Sequence, residues 1–391
     1  MKEFSTELLK PFLKQPDMMR KLLRGAKRKY ITASRDKRRG DGVSNALWLI
    51  SMRITDRCNQ RCAICGQYGR QGYNKKNIDL PKVKGNVPIG RYKEMIDNIS
   101  HLKPHIYITG GEPFLYPDGV IEFGNYCKKR GLSVQIVTNG VRLEETAKEL
   151  VDNEWDMVCV SVDGPQKIHD KCRGLEGSFE TMKTGVEEIQ TIKNNEHKKK
   201  PMIFTLTTLW RANYEHLVET IKVSQNFHPD ASIVYYSWFT SQEVGEKHSE
   251  IIEHEMGITP FAWKSYVRDN TDMNLRELER RVRLVKSTRY DSPVVFVPNI
   301  SLDQIEPYYK DPTDFLGWSN CLTPWIEANI MPNGDVVSCR DFPDVVMGNL
   351  MKDTLLNIFN CKTFRKFRRA LSRQPNGVFP LCSRCCGLMG F

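Results

Sequence analysis

The chain has 391 residues, 40% of them apolar and 27% charged, with a net charge of +11. That is enough chain for a sizeable core, and its longest apolar stretch, around residues 46–54, is far too short to span a membrane. Residues 1–15 lack the long apolar run and small-residue cleavage site of an export signal. The expected setting is therefore the reducing cytoplasm, where twelve cysteines argue for metal or redox chemistry rather than disulfides.

The charge is concentrated at one end. Residues 1–40 hold 13 Lys/Arg against 4 Asp/Glu, a net +9, which leaves +2 for the remaining 351 residues. A nucleic-acid enzyme spreads basic charge along a groove, so nucleic acid is not an expected partner. Within this arm, Phe4, Leu8, Leu9, Phe12 and Leu13, then Met18, Met19, Leu22, Leu23, Ala26 and Tyr30, recur at helical spacing, with Arg20, Lys21, Arg24, Lys27 and Arg28 on the other side. Such a helix either packs its apolar stripe on its own domain or lies on an anionic membrane surface. Peripheral contact of residues 1–40 with the inner membrane face is one expectation tested below. The polar run 34–44 reads as a linker.

From residue 46, strand and helix patterns alternate. The expected strands are 47–54, His105–Thr109, Ser133–Thr138, 157–162, 203–208 and 233–237. Helical patterns at 91–101, 120–130, 143–153 and 179–193 lie between them. Six βα units in about 200 residues predict an α/β fold with a parallel sheet bent into a partial barrel, its chemistry at the C-terminal strand ends. Residues 240–320 lack a clean period. The expected division is an arm (1–45), a partial barrel (46–240), a connecting region that covers substrate (241–320) and a cysteine-rich unit (321–391).

Cys58, Cys62 and Cys65 follow the first strand at spacing x3 then x2. Zinc sites favour CxxC pairs and four ligands. Three thiolates on one short loop instead suit an iron–sulfur cluster with one iron left open. Strand-end motifs follow: Gly110-Gly111-Glu112-Pro113, Thr138-Asn139-Gly140, Ser161-Val162-Asp163-Gly164 and His169-Asp170-Lys171-Cys172-Arg173-Gly174. Each alone is an ordinary turn or surface element. The C-terminal unit has Cys321-x12-Gly334-x4-Cys339 and then Cys382-Ser383-Arg384-Cys385. Four thiolates from two segments can close a metal site, and zinc competes for it. Cys386 is an alternative to Cys385, and Cys361 lies nearby. Cys127 and Cys159 read as core residues, as does Cys172 beside Arg173.

Taken in order, these motifs resemble the radical S-adenosylmethionine (radical SAM) superfamily, of the (β/α)6 partial-barrel type. The segment Pro332-Asn333-Gly334-Asp335-Val336-Val337-Ser338-Cys339, with Met347-Gly348-Asn349-Leu350 and Phe364-Arg365, resembles its SPASM and twitch extensions. The resemblance implies that Cys58, Cys62 and Cys65 hold a [4Fe–4S] cluster whose open iron chelates SAM. It implies that Gly110, Gly111, Glu112 and Pro113 meet the SAM amino group, that Thr138, Asn139, Ser161 and Asp163 hold ribose and carboxylate, and that Arg173 pairs with the carboxylate. Ile64 stands where the family usually has an aromatic residue near the adenine.

By the same resemblance, Cys321, Cys339, Cys382 and Cys385 would bind one auxiliary [4Fe–4S] cluster, since the chain ends six residues after Cys385. The implied activity is reductive cleavage of SAM to a 5′-deoxyadenosyl radical, hydrogen abstraction, and oxidation or bond formation on a small or lipid-linked metabolite. A flavodoxin- or ferredoxin-like protein would supply electrons. Peptide maturation is an alternative, although about 45 residues before the first strand are too few for the family's peptide-binding winged-helix domain. A zinc-binding interaction protein is the non-enzyme alternative. Arg340, Asp341, Glu243 and Arg142 are candidate acid–base residues by their closeness to the motifs.

Overall fold

The computed structural model describes residues 6–69, 71–74, 87–270, 272–340 and 343–389. Ten strands among them form one sheet: β1 Leu49–Arg53, β2 His105–Thr109, β3 Ser133–Thr138, β4 Met157–Ser161, β5 Met202–Leu209, β6 Ala231–Tyr236, β7 Val294–Val297, β8 Glu327–Ile330, β9 Asp335–Val337 and β10 Val346–Asn349. β1 to β7 lie side by side in chain order and all pair in parallel. β8 returns to pair in parallel with the free side of β1, and β9 and β10 continue the sheet antiparallel.

Period-two alternation decides which side chains go where. Val158 and Val160 of β4 join Ile106 and Ile108 of β2 under the helices, with Phe123, Leu150 and Ile189 packed over them. Met157 and Cys159 point to the opposite, concave face. The expected partial barrel is present, with two further parallel strands, β7 and β8, that the sequence did not suggest. Residues 240–320 are also more regular than expected. Gln242–Met256 and Leu275–Ser287 are helices, the second burying Leu278, Val282 and Val285 along one stripe.

The arm is committed to the barrel. Leu8, Phe12 and Met18 pack in one cluster with Met157, Met202, Phe204, Ile233 and Val295 in the first halves of the strands on the concave face. Lys21 of the arm reaches Asp156 at 2.6 Å, and Gln15 Nε2 donates to the Lys199 carbonyl. The buried part of the stripe is thus satisfied within the chain, although Leu13, Leu23 and Ile31 stay exposed. The expected linker 34–44 is likewise built in. Ser34–Arg39 is helical, and Gly40 at φ +77° ends it. Asp36 is fully buried, accepting from Arg39 Nη1 and from the Asn45 amide. No helix among the described residues is long and apolar enough to cross a membrane.

Burial of each of Leu8, Phe12 and Met18 is worth about 1.5–3 kcal/mol. Deleting residues 1–40 is therefore expected to lower the thermal midpoint by calorimetry. An unchanged midpoint would mean that the arm is not docked.

Candidate active site and cluster-binding cysteines

The three-cysteine loop leaves the C-terminal end of β1 and is pinned from two sides. Gly111 N–H donates to the Thr55 carbonyl at 2.8 Å and Glu112 N–H to the Arg57 carbonyl at 2.7 Å. A Cβ on Gly111 would lie 2.2 Å from the Arg57 oxygen, and one on Gly110 would lie 2.6 Å from the Thr55 oxygen. The two glycines are thus required by this close approach. On the loop, the Cys65 thiol accepts from the Gln67 and Tyr68 amides at 3.3 and 3.4 Å. Arg173 Nη1 faces the Cys62 thiol at 3.9 Å. All three cysteines are half-buried. Burial pushes the Cys58 thiol up to about 12 and raises that of Cys62, where Arg173 opposes the shift. Bare, Cys58 and Cys62 would stay protonated; a bound iron cluster would hold them as thiolates.

Glu112 is fully buried, and its carboxylate accepts from Thr138 Oγ1 at 2.7 Å, the Asn139 amide at 2.7 Å and the Phe114 amide at 3.0 Å. Burial raises its pKa against the pull of these bonds. Both oxygens accept hydrogen bonds from the protein, so the side chain also locks the end of β2 to the end of β3. Pro113 opens the turn Pro113–Leu115 that follows. The half-buried Gly111 is the part of the motif that still faces outward. Asn139 is presented by the Glu112 lock, its Nδ2 donating to Asn59 Oδ1 at 2.8 Å. Glu112→Gln removes the acceptor for the Asn139 amide. A stability loss of about 1–3 kcal/mol is expected in denaturant titrations, together with weaker SAM binding.

Asp163 follows β4, 2% exposed, and pairs with Arg173 at 2.7 Å. Its other oxygen accepts from the Thr208 amide. Arg173 ends the helix Gln166–Arg173, and its carbonyl accepts from the Arg61 amide, which ties that helix to the cysteine loop. Burial works against the guanidinium charge, but Asp163 and Cys62 outweigh it and keep Arg173 protonated. Arg173 Nε is buried with no partner among the described residues. A buried, charged fork with an unused donor beside the cysteines suits a carboxylate. Ser161 is half-buried at the end of β4. Cys172 is buried, and its thiol meets Trp210.

Residues that the sequence did not single out close the loop from above. Arg268 donates to the Ile64 carbonyl. The Tyr266 ring fills the space that a Cβ on Gly66 would need. Arg268 also borders an open groove of about 630 Å³ lined by Phe239, Met273, Arg276, Tyr309 and Lys310. Asn59 sits inside the Cys58–Cys62 interval, so the motif could have flagged it; Arg268 lies in an irregular segment with no such signal.

The second group of cysteines lines one cavity of about 50 Å³. Cys321, Cys339, Cys382, Cys385 and Cys386 all border it, with His248, Asn329, Ser338 and Arg340. The Cys385 thiol is raised by Cys386 and by burial, and it also feels Cys339 and Cys382. Burial pushes Cys382 up to about 12, with Cys321 adding to the shift. Cys386 packs on the concave-face side with Tyr235. Cys361 is apart from this group: it caps the helix Lys362–Arg373, its thiol accepting from the Phe364 amide. No three His, Cys, Asp or Glu among the described residues converge as a single-ion site. A cubane spreads its ligands over separate irons, and a cavity walled by five cysteines suits it.

Of the acid–base candidates, Arg340 lies in this cavity with its guanidinium 4.9 Å from the Tyr107 ring centroid. Glu243 is exposed, Arg142 pairs with Glu145 at the surface, and Asp341 falls outside the described residues.

The family model of the radical SAM superfamily matches residues 52–223, and that of the SPASM iron–sulfur cluster-binding domain matches residues 321–386. An AdoMet-dependent heme synthase of Methanosarcina barkeri is 28% identical over 201 residues, covering 50% of this chain and 52% of its own length. An Fe-coproporphyrin III synthase of the same organism is 29% identical over 195 residues, 46% of each chain. The chain thus spans about half the length of these curated relatives. In structure, Streptococcus suis SuiB bound to S-adenosylmethionine superposes with a TM-score of 0.59 at 14% identity, covering 83% of this chain and 68% of that one, a likeness of fold. The two family matches overturn the alternative of a zinc-binding interaction protein. SAM and a [4Fe–4S] cluster are the cofactors of the first region, and further iron–sulfur binding is the property of the second. The chain belongs to the radical SAM superfamily of enzymes and carries a C-terminal SPASM domain.

Proposed function

We propose that Cys58, Cys62 and Cys65 hold the SAM-binding [4Fe–4S] cluster, and that Cys321, Cys339, Cys382 and Cys385 hold one auxiliary cluster. SAM would lie against Gly110, Gly111, Asn139, Ser161 and Arg173, with Thr138, Glu112 and Asp163 positioning them. Together these cofactors supply a one-electron cleavage of the SAM sulfonium and a carbon radical that takes hydrogen from an unactivated carbon. The substrate is a small metabolite, oxidised or joined at that carbon, and a flavodoxin- or ferredoxin-like protein is the electron donor. The chain divides functionally into an arm 1–45, a barrel 46–240, a covering region 241–320 that also lends β7 to the barrel sheet, and an auxiliary unit 321–391 that lends β8 to it.

The observation that carries this reading is the three-cysteine loop, docked on a diglycine at the C-terminal strand ends with Arg173 behind it. Arg173 offers the charge a carboxylate needs, Glu112 holds Asn139 in place, and the arm fills the opposite end of the concave face. Substrate therefore approaches from the strand-end side. The docked arm leaves a lipid-linked substrate without its sequence support. A peptide substrate is the second reading, favoured by the open 630 Å³ groove that Arg268 borders next to the cysteine loop.

The test is anaerobic incubation of the reconstituted chain with SAM and dithionite. 5′-Deoxyadenosine and methionine are the expected products. Iron-loaded protein that forms neither would overturn the proposal.

A further inference from the structure

A polar row crosses the concave face, apart from the residues proposed to hold SAM. Asn329 on β8 is in register with Ser51 on β1, Ser51 with Tyr107 on β2, and Tyr107 with Gln135 on β3. Tyr107 stands two residues before the end of β2, so the row runs about 7 Å below the strand end that leads into Gly110. On its other side, Asn329 borders the five-cysteine cavity with Glu327, Arg340 and Ser338. The row thus lies between the two cysteine sites.

Gln135 already has partners: its Oε1 meets His105 Nε2 at 2.9 Å, and its Nε2 donates to the Cys159 thiol at 3.1 Å. Asn329 differs. It is 2% exposed, and neither its Nδ2 nor its Oδ1 has a hydrogen-bond partner among the described residues. Buried amides are rarely left unsatisfied, because the lost bonds to water are not replaced. A side chain with both ends open, facing a cavity, marks a place for a ligand.

The chemistry of that ligand follows from the two open ends. An asparagine offers a donor and an acceptor side by side. A carboxylate or phosphate could take the Nδ2 hydrogens but would repel Oδ1, and an alkyl group would satisfy neither. A carboxamide, a lactam, or the N–H and C=O of one residue in an extended peptide satisfies both. We propose that Asn329 is a recognition residue that reads an amide on the substrate. This rests on the reading that the space between the two cysteine sites holds the substrate.

The test uses the full chain with clusters reconstituted and SAM bound, under anaerobic calorimetric titration. The probes are N-acetylglycine N-methylamide, 2-pyrrolidone, methyl acetate and sodium acetate. The two amides are expected to bind and the ester and the carboxylate not to. Tighter binding of the diamide points to a peptide source, tighter binding of the lactam to a small molecule. Asn329→Leu should weaken amide binding about tenfold or more, with iron content unchanged. Asn329→Asp, which loses the donor, should fall between.

Wild-type protein that binds no amide, or a leucine variant that binds as well as wild type, overturns the inference. So does a shifted auxiliary potential with unchanged amide binding, which would assign the side chain to the cluster's sulfides. 5′-Deoxyadenosine formation is followed in the same samples. If it persists without probe binding, amide recognition alone falls; if it is absent, the proposed function falls first.

Discussion

Replacing Cys58, Cys62 and Cys65 together with alanine is expected to lower the iron of the anaerobically reconstituted chain from about eight atoms to about four and to abolish 5′-deoxyadenosine formation. The sequence around the loop, from residue 51 to residue 104, holds no fourth cysteine. Its thiols are half-buried, and its backbone is fixed by Gly111 and Glu112 on one side and by the helix ending at Arg173 on the other. The C-terminal cysteines sit in their own cavity, before β8, after β9 and in the last turns of the chain, so their iron should survive. Iron and sulfide per chain settle the matter. A fall from about four to near zero would mean that Cys321, Cys339, Cys382 and Cys385 hold no cluster.

The second large effect is expected far from the chemistry. Asp156 precedes β4, is fully buried, and binds Lys21 at 2.6 Å, Lys128 at 2.6 Å and Lys200 at 3.0 Å. Burial alone would raise its pKa. The three lysines outweigh that and hold the carboxyl well below the usual carboxylate range. Asp156→Asn leaves three ammonium groups around a neutral amide, with only the half-exposed Asp17 still pairing Lys200 and Lys21. Breaking a buried pair in this way costs about 3–5 kcal/mol. The lower end applies here, because Lys21, Lys128 and Lys200 keep 24%, 15% and 14% of their side-chain exposure.

The pH dependence has a definite sign. A depressed folded-state pKa contributes stability above the unfolded value, about 3.9, which is lost as pH falls through the lower folded value. Wild type should therefore lose stability in acid more steeply than Asp156→Asn, which has no such limb. Denaturant titrations from pH 7 down to about pH 2 check both claims. Parallel acid profiles for the two proteins would show that the lysine cluster is not formed.

Much of this architecture can be read from the sequence where local pattern and final environment agree. His105–Thr109 and Ser133–Thr138 are strands at their expected limits, since each alternates or runs apolar between clear turns. β7 escapes notice because four apolar residues between Pro293 and Pro298 read as loop. In Leu275–Ser287, arginines and glutamates crowd every other face and obscure the stripe of Leu278, Val282 and Val285. The 34–44 segment is polar enough for a linker, and only its contacts with Asn360 and Trp325, some 280–320 residues away, make it structural.

At the site, spacing identifies the cysteines and motif identifies Glu112, but not what the carboxylate holds. The contact of Arg268 with Ile64 joins residues 204 positions apart, and nothing local announces it. Cys361 lies among cluster cysteines in sequence, yet its thiol serves a helix start.

The pairing of β8 with β1 has a consequence for solubility. Without β8, the backbone N–H and C=O groups along one side of Leu49–Arg53 would be unpaired, on a strand whose Ile50 and Met52 are fully buried apolar residues. Such an edge is a template for intermolecular strand addition, and natural sheets blunt theirs. The C-terminal unit therefore also acts as an edge guard. A barrel fragment cut at residue 320 would be prone to aggregate whatever its cofactor content, so the two cysteine sites are best studied on one uncut chain.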